Sequence, residues 1–303
     1  MIKKVRQLYR KFVPQKTRKK IEAFLFDVNV PRLRRRIIRH LSRIPKKKIS
    51  AEELEVLDYL KKNPVTVFPY VFTSRYKEEE ISVQLDPETG LHYAIYKGKR
   101  LFFKRSWTEQ RIRTAVRNLL IEQDEDSPHR YLTEDFTIDE QSTLADIGVA
   151  EGNFSLENID RAGKVLIFES NPEWIEALHA TFAPWKEKIQ IINKWVADVN
   201  DEKFITLDEV QRKYGNIDFV KIDVDGFEGR VLNGSSQLLT ENKNLRIALC
   251  TYHQQDDHEL YTTFLRQKGF QVSHSKGYMI FHWGKQKRPY IRRGLIRAKK
   301  MAG

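Results

Sequence analysis

The chain of 303 residues has a single cysteine, Cys250, which excludes an internal disulfide and any zinc site built from several thiolates. No apolar run approaches the ~18–20 residues of a membrane span. The basic N-terminus lacks the uninterrupted apolar stretch of a secretory leader. A cytoplasmic protein is the simplest expectation. Acidic residues are scarce at both ends, with 2 in residues 1–50 against 18 Lys/Arg, and none in residues 284–303 against 8. The net charge of +13 therefore divides into +16 for residues 1–50, −11 for 51–283 and +8 for 284–303. Affinity for an anionic surface is expected in the ends, not in the acidic body. Hydrophobic residues make up 40% and charged residues 31%, so a core can form and global disorder is excluded.

Residues 1–13 place Ile2, Val5, Tyr9 and Phe12 on one helical face, and Pro14 stops that helix. A second basic helix is predicted from Pro31 to Pro45, with Leu33, Ile37, Ile38, Leu41 and Ile44 at helical spacing. Such basic helices suit peripheral contact with an anionic membrane, docking on the protein's own acidic body or a partner, or, less well, RNA phosphates. Residues 1–49 are read as a basic helical extension. Ser50 with Glu53 has capping-box spacing for a helix ending near Pro64. Residues 81–85 and 91–103 read as a small antiparallel meander. Ser106 with Glu109 is a second capping box, before a helix carrying Ile112, Val116, Leu119 and Leu120. Residues 50–135 are thus expected to form a small α+β subdomain, a lid or substrate-side element.

From Thr143 the pattern becomes alternating strands and helices, with apolar runs at 143–147, 165–168, 189–192, 219–222 and 247–251. That rhythm predicts an α/β fold with a doubly wound, Rossmann-like sheet and ligands at the carboxyl ends of its strands. The first strand runs into Asp146-Ile147-Gly148-Val149-Ala150-Glu151-Gly152. A dinucleotide fingerprint needs a third glycine to seat a pyrophosphate, and Asp146 and Glu151 would repel one. A ligand carrying an amine suits the loop better, with S-adenosylmethionine as the candidate; a plain structural turn is the alternative. Glu169 ends the second strand, where a carboxylate can accept hydrogen bonds from two ribose hydroxyls. Asn171 and Pro172 read as N-cap and first helical residue. Trp195-Val196-Ala197-Asp198 stands where an adenine could be held by its face and edge.

Asp223, Asp225 and Glu228 lie within six residues at the end of the fourth strand. The run Phe219-Val220-Lys221-Ile222-Asp223-Val224-Asp225-Gly226-Phe227-Glu228-Gly229, with the Asp146–Gly152 loop and Phe168-Glu169, resembles the FkbM family of S-adenosylmethionine-dependent methyltransferases. Asp225 stands where the family usually has Glu. The resemblance covers roughly residues 140–283. It implies a class I methyltransferase domain over 136–283, with S-adenosylmethionine as cofactor. It also implies O-methylation of a sugar, glycan or related hydroxylated product. It assigns Asp146, Gly148 and Gly152 to the methionine and adenosine and Glu169 to the ribose; Glu151 and Asp198 are expected at the cofactor from their own positions, in the acidic loop and after the third strand. Glu122-Gln123-Asp124 and Ser127-Pro128-His129-Arg130-Tyr131 resemble a feature of a subgroup of that family, with an ordinary Pro-anchored loop as the alternative.

His253 follows the fifth strand, and its ordinary pKa near 6.5 suits a general base or a contact to the acceptor, with a structural hydrogen bond as the equal alternative. Asp223 is the other candidate base, with Asp225 and Glu228 orienting the acceptor or supporting the loop. His253, Asp256, Asp257 and His258 also invite a metal reading, but Asp256 with Glu259 fits a helix cap and no metal is expected. Residues 270–273 and 277–281 are predicted to close the domain as an antiparallel hairpin, leaving 284–303 as a basic tail. Two other functions stay open: an RNA methyltransferase, against which no RNA-binding module is visible, and a non-catalytic membrane-associated scaffold. A lipid-linked glycan at the inner face of a membrane would reconcile the basic ends with the leading reading.

Overall fold

The computed structural model describes residues 30–281 and 286–300. The expected helix over residues 1–13 lies outside the described residues. Contacts divide the chain into two compact units, residues 1–70 with 280–291, and residues 71–279 with 292–303. This differs from the expected boundaries, and the reason is visible in each core.

In the first unit, helix α1 (residues 30–41) buries Leu33, Ile37 and Leu41, the predicted apolar stripe. Helix α2 (Ala51–Lys62) begins with the predicted capping box: Ser50 Oγ accepts from Glu53 N at 3.1 Å, and Glu53 Oε2 accepts from Ser50 N at 2.9 Å. Arg34 of α1 donates to the carbonyls of Leu60 and Lys61 at 2.8 and 3.0 Å, satisfying the open end of α2. Residue 280 joins this unit through Ile280 N and the Val67 carbonyl.

The second unit opens with the predicted meander, strands β1 (Val83–Leu85), β2 (His92–Tyr96) and β3 (Lys99–Phe102), all antiparallel. Helix α3 (Glu109–Glu122) follows, capped by Thr108 and not by Ser106. Then come β4 (Thr143–Ile147), α4 (Asn153–Asn158), β5 (Lys164–Phe168), α5 (Pro172–Phe182) and β6 (Ile189–Ile192). A two-stranded pair, β7 (Trp195–Val196) and β8 (Phe204–Ile205), leads to α6 (Leu207–Tyr214) and β9 (Phe219–Ile222). The chain continues through α7 (Glu228–Asn233), α8 (Ser236–Glu241), β10 (Arg246–Cys250), α9 (Asp257–Gln267), β11 (Phe270–His274) and β12 (Leu295–Lys300).

The main sheet has 7 strands in the order β11-β12-β10-β9-β4-β5-β6. Strands β4, β5, β6, β9 and β10 are parallel, and β12 is antiparallel to both of its neighbours. Successive residues point to opposite faces, so Leu144, Val165 and Phe219 enter one core while Ala145, Leu166 and Val220 enter the other. The first core also takes Tyr96, Leu101, Phe103, Ile112 and Val116 from the meander and α3. The expected separate subdomain over 50–135 is therefore corrected: from residue 71 it shares the core of the sheet.

The C-terminal expectation is corrected too. The partner of β11 is β12, not residues 277–281, so residues 295–300 are an internal strand instead of a basic tail. Leu295, Ile296 and Ala298 are fully buried. Arg297 donates to the carbonyls of Tyr131 and Arg130, and Lys300 to those of Leu239 and Lys268, so their charges end on backbone oxygens.

Candidate active site

The ends of β4, β5 and β9 converge on a cavity of about 350 Å³, within the usual range of ~300–1,000 Å³ for small-ligand sites. Gly148 turns the chain after β4 with φ +76°, and a Cβ there would stand 1.9 Å from the carbonyl oxygen of Asp223. Only glycine allows this approach of the β4 and β9 loops. Gly152 has φ +85° and starts α4, where a Cβ would meet Leu178 at 2.9 Å. Ala150, between them, holds φ +48°, and Asp225 across the cavity holds φ +51°. Left-handed backbone at a residue with a Cβ costs ~1–2 kcal/mol and persists where the surroundings fix it.

Glu169 is the group that fixes Ala150. Its Oε2 accepts from Ala150 N at 2.9 Å and its Oε1 from Asn171 N at 2.6 Å. Each carboxylate oxygen keeps a further lone pair, and Glu169 lines the cavity. Asn171 caps α5 with Pro172 next to it, as predicted. Trp195 also lines the cavity, 5.6 Å ring to ring from Phe227.

Three of the residues expected at the cofactor, Asp146, Glu151 and Asp198, do not line the cavity. Asp146 is 1% exposed and lies off the cavity: its Oδ2 accepts from Ser155 Oγ at 2.7 Å, and its Oδ1 pairs with Lys221 Nζ at 3.1 Å. Lys221 Nζ in turn donates to the Gly148 carbonyl at 2.7 Å. Asp146 thus positions the glycine loop through Lys221. Burial disfavours the Lys221 charge, but the carboxylates of Asp146 and Asp223 outweigh it and raise its pKa. Glu151 does not line the cavity, and burial pushes its carboxyl up to about 7. Asp198 is held by Arg230 at 2.5 Å, outside the cavity lining.

Asp223 is the hub of the polar side. Tyr131 Oη donates to its Oδ2 at 2.9 Å and Tyr252 Oη to its Oδ1 at 3.1 Å. His129 Nε2 lies 3.5 Å from Oδ2, and His253 Nε2 3.7 Å from Oδ1. Burial opposes the carboxylate, yet the His129 hydrogen bond and the charges of Lys221, His129 and His253 hold its pKa far below the usual range. His253 Nδ1 meets Glu228 Oε1 at 2.8 Å and its Nε2 lies 3.5 Å from Asp225. Burial lowers the imidazole pKa, but the bonds to Asp225 and Glu228 and the charge of Asp223 push it up to about 10. The raised pKa favours the imidazolium form, the state opposite to the one the expected general base requires. Glu228 is fully buried and accepts from Val224 N at 3.2 Å and Gly226 N at 3.4 Å, so it supports the loop, and it does not line the cavity. Asp225 is exposed and lines the cavity.

The loop over 127–131 reaches the site through His129 and Tyr131. Asp124 faces away from it, accepting from Tyr76 Oη at 2.6 Å. Tyr252 and Trp174, which line the cavity, are not apparent from motif spacing alone; the position of Tyr252 directly after β10 is the one signal for it. The His253, Asp256, Asp257 and His258 cluster does not converge. Asp257 accepts from Gln254 N at 2.8 Å, His258 contacts Thr251 at 3.4 Å, and Asp256 makes no side-chain cap bond. Among the described residues, Asp223, Glu228 and His253 do bring ligand atoms within 4.8 Å of one another, as do His129, Asp223 and Cys250.

The strand order, with a parallel run closed by one antiparallel strand, and a carboxyl-end cavity flanked by Gly148 and Glu169 define a Rossmann-like class I methyltransferase fold. Residues 196–272 match the model of the methyltransferase FkbM domain. The family resemblance is thereby borne out, the chain is assigned as a methyltransferase enzyme, and S-adenosylmethionine as cofactor agrees with that domain. No curated protein gives a significant match. Similar solved structures include precorrin-6y C5,15-methyltransferase from Geobacter metallireducens, at 14% identity and TM-score 0.38, covering 55% of this chain and 82% of that one. An rRNA methylase from Streptococcus thermophilus has 15% identity and TM-score 0.39, with 54% and 89% covered. A Streptococcus pneumoniae putative tRNA (m1A22) methyltransferase in complex with S-adenosyl-L-methionine has 15% identity and TM-score 0.36, with 54% and 68% covered. The assignment rests on the family model.

Proposed function

We propose that the cavity holds S-adenosylmethionine and that the enzyme methylates a hydroxyl oxygen of a sugar, glycan or related hydroxylated acceptor. The observation that carries this reading is the pair of carboxylates, Glu169 after β5 and Asp223 after β9, facing one cavity on either side of the Gly148 loop. Glu169 has lone pairs left for a diol, and Trp195 offers an exposed ring face, which suits a nucleoside. Bound there, the cofactor supplies a methyl group made electrophilic by its sulfonium.

The chain's own residues orient the acceptor and take its proton. Asp223 faces the cavity as a carboxylate, and an acceptor hydroxyl can donate to it beside Tyr131 and Tyr252. A hydroxyl oxygen becomes strongly acidic as its bond to carbon forms, so even a weakly basic carboxylate can receive the proton. The imidazolium of His253 offsets the charges of Asp223, Asp225 and Glu228, so the three carboxylates can coexist beside a neutral hydroxyl. Tyr131 and Tyr252 fix the direction of the accepting oxygens.

Full-length protein would be incubated with methyl-labelled S-adenosylmethionine and, separately, with glycan, glycolipid and RNA fractions of the source cell. Label is expected in the glycan or glycolipid fraction as an alkali-stable ether. It should persist with EDTA and fall about 100-fold in Asp223→Asn. Label confined to RNA, or activity lost to EDTA and restored by a divalent ion, would overturn the reading.

A further inference from the structure

The unit formed by residues 1–70 and 280–291 contains a second cavity, of about 180 Å³. One water occupies ~30 Å³ in the liquid, so the space exceeds a hydration site and admits a phosphate-sized group. Its lining is Arg36, Arg39, His40, Arg43, Arg288 and Tyr290. On α1 the Leu33, Ile37 and Leu41 stripe is buried, which leaves Arg36 and Arg39 exposed on another face, and Arg43, in the turn just after the helix, is exposed beside the same cavity. Buried Tyr290 anchors the opposite wall. Its ring meets His40 edge-on at 6.1 Å, and the Arg36 guanidinium lies 5.6 Å from its centroid.

Among the described residues, no Asp or Glu lines this cavity. Among the described residues, none of the four arginines makes an ion pair with a carboxylate. Residues 30–50 contain nine Lys/Arg and no acid. Four like charges around one hollow repel one another, and an anion in the hollow reverses that. Guanidinium forks match the paired oxygens of phosphate, and a buried tyrosine wall holds one of them in place. A hydrophobic ligand would find only one apolar surface there.

We infer that this pocket binds a phosphate group, carried either by a lipid headgroup or by a free phosphorylated molecule. The inference does not depend on the methyltransferase reading.

The test uses full-length protein with two probes: inorganic pyrophosphate by calorimetry, and phosphatidylcholine vesicles with or without phosphatidic acid by flotation. The Arg39→Gln/Arg43→Gln variant changes two exposed side chains of the pocket. The Lys46→Gln/Lys47→Gln variant removes the same charge outside it. Binding of at least one probe by wild type, lost tenfold or more in the arginine pair and kept within about twofold in the lysine pair, is expected. Vesicle binding that pyrophosphate displaces identifies the lipid source; pyrophosphate binding with vesicles ignored identifies the free one. Arg288→Gln, in the other segment of the pocket, should reproduce the loss if the arginine pair alters folding by circular dichroism. Equal weakening in the arginine and lysine pairs, or no binding of either probe by wild type, would overturn the inference.

Discussion

Glu169→Gln separates the two tasks assigned to one side chain. In the wild type both carboxylate oxygens accept backbone N–H groups, from Ala150 at 2.9 Å and Asn171 at 2.6 Å. The amide keeps one oxygen and turns an NH2 group toward the other N–H. Two donors then face each other at a residue only 7% exposed. An unsatisfied buried donor costs ~1–3 kcal/mol, and Ala150 also loses the bond that holds its left-handed backbone. Stability should fall by about that amount. The ligand loses a charged acceptor as well, worth ~1.5–3 kcal/mol, so affinity for S-adenosylhomocysteine should fall roughly ten- to a hundredfold. Calorimetry below the unfolding range of the variant measures the second effect free of the first. An unchanged dissociation constant in the folded variant would remove Glu169 from the cofactor site. Tighter binding of NAD than of S-adenosylhomocysteine would overturn the cofactor assignment itself.

Gly148→Ala should lower stability by ~2–5 kcal/mol, from left-handed strain and overpacking against the Asp223 backbone, seen as a Tm lowered by roughly 5–15 °C; an unchanged Tm would mean the two loops are not in contact. His253→Gln tests the imidazolium. Its folded pKa is raised to about 10 from 6.5, so its contribution is complete below the unfolded value and is lost as pH rises through the folded one. The wild type should exceed the variant by ~2–4 kcal/mol at neutral pH, and the two Tm curves should converge as pH approaches 10. A constant difference across that range would show that His253 contributes packing and no charge.

The parallel strands were legible because each is a short apolar run between turn residues, and the Gly148, Gly152 and Glu169 constellation because it depends on spacing near β4 and β5. Roles that depend on residues far away in sequence were not. Asp146 has the position of a ligand contact, but Lys221, 75 residues later, claims its carboxylate and moves it to the support of the loop. His253 looks like a base at its ordinary pKa until Asp225 and Glu228 surround it. Strand β12 was hidden by its charges. Its alternating Leu295, Arg297 and Lys299 against Ile296 and Ala298 carries a strand signal, yet three basic residues in six read as tail until the carbonyls that receive Arg297 and Lys300 are known.

The insertion of β12 between β10 and β11 ties the edge of the sheet to one wall of the site. Strand β11 precedes β12 in the chain but touches β10 only through it, so without β12 the sheet would leave β11 unpaired. The same late strand and its lead-in secure the polar wall. Arg292 donates to the carbonyls of Tyr252 and His253, both at 2.7 Å, and Arg297 holds the Tyr131 carbonyl at 2.9 Å. The glycine loop and Glu169 belong to strands β4 and β5, which pair with each other without β12. The glycine-loop side of the cavity and its polar side therefore depend on β12 and its lead-in to different extents. A change that loosens β12 would therefore reach the backbone of Tyr131, Tyr252 and His253 before it reached the Gly148 loop and Glu169.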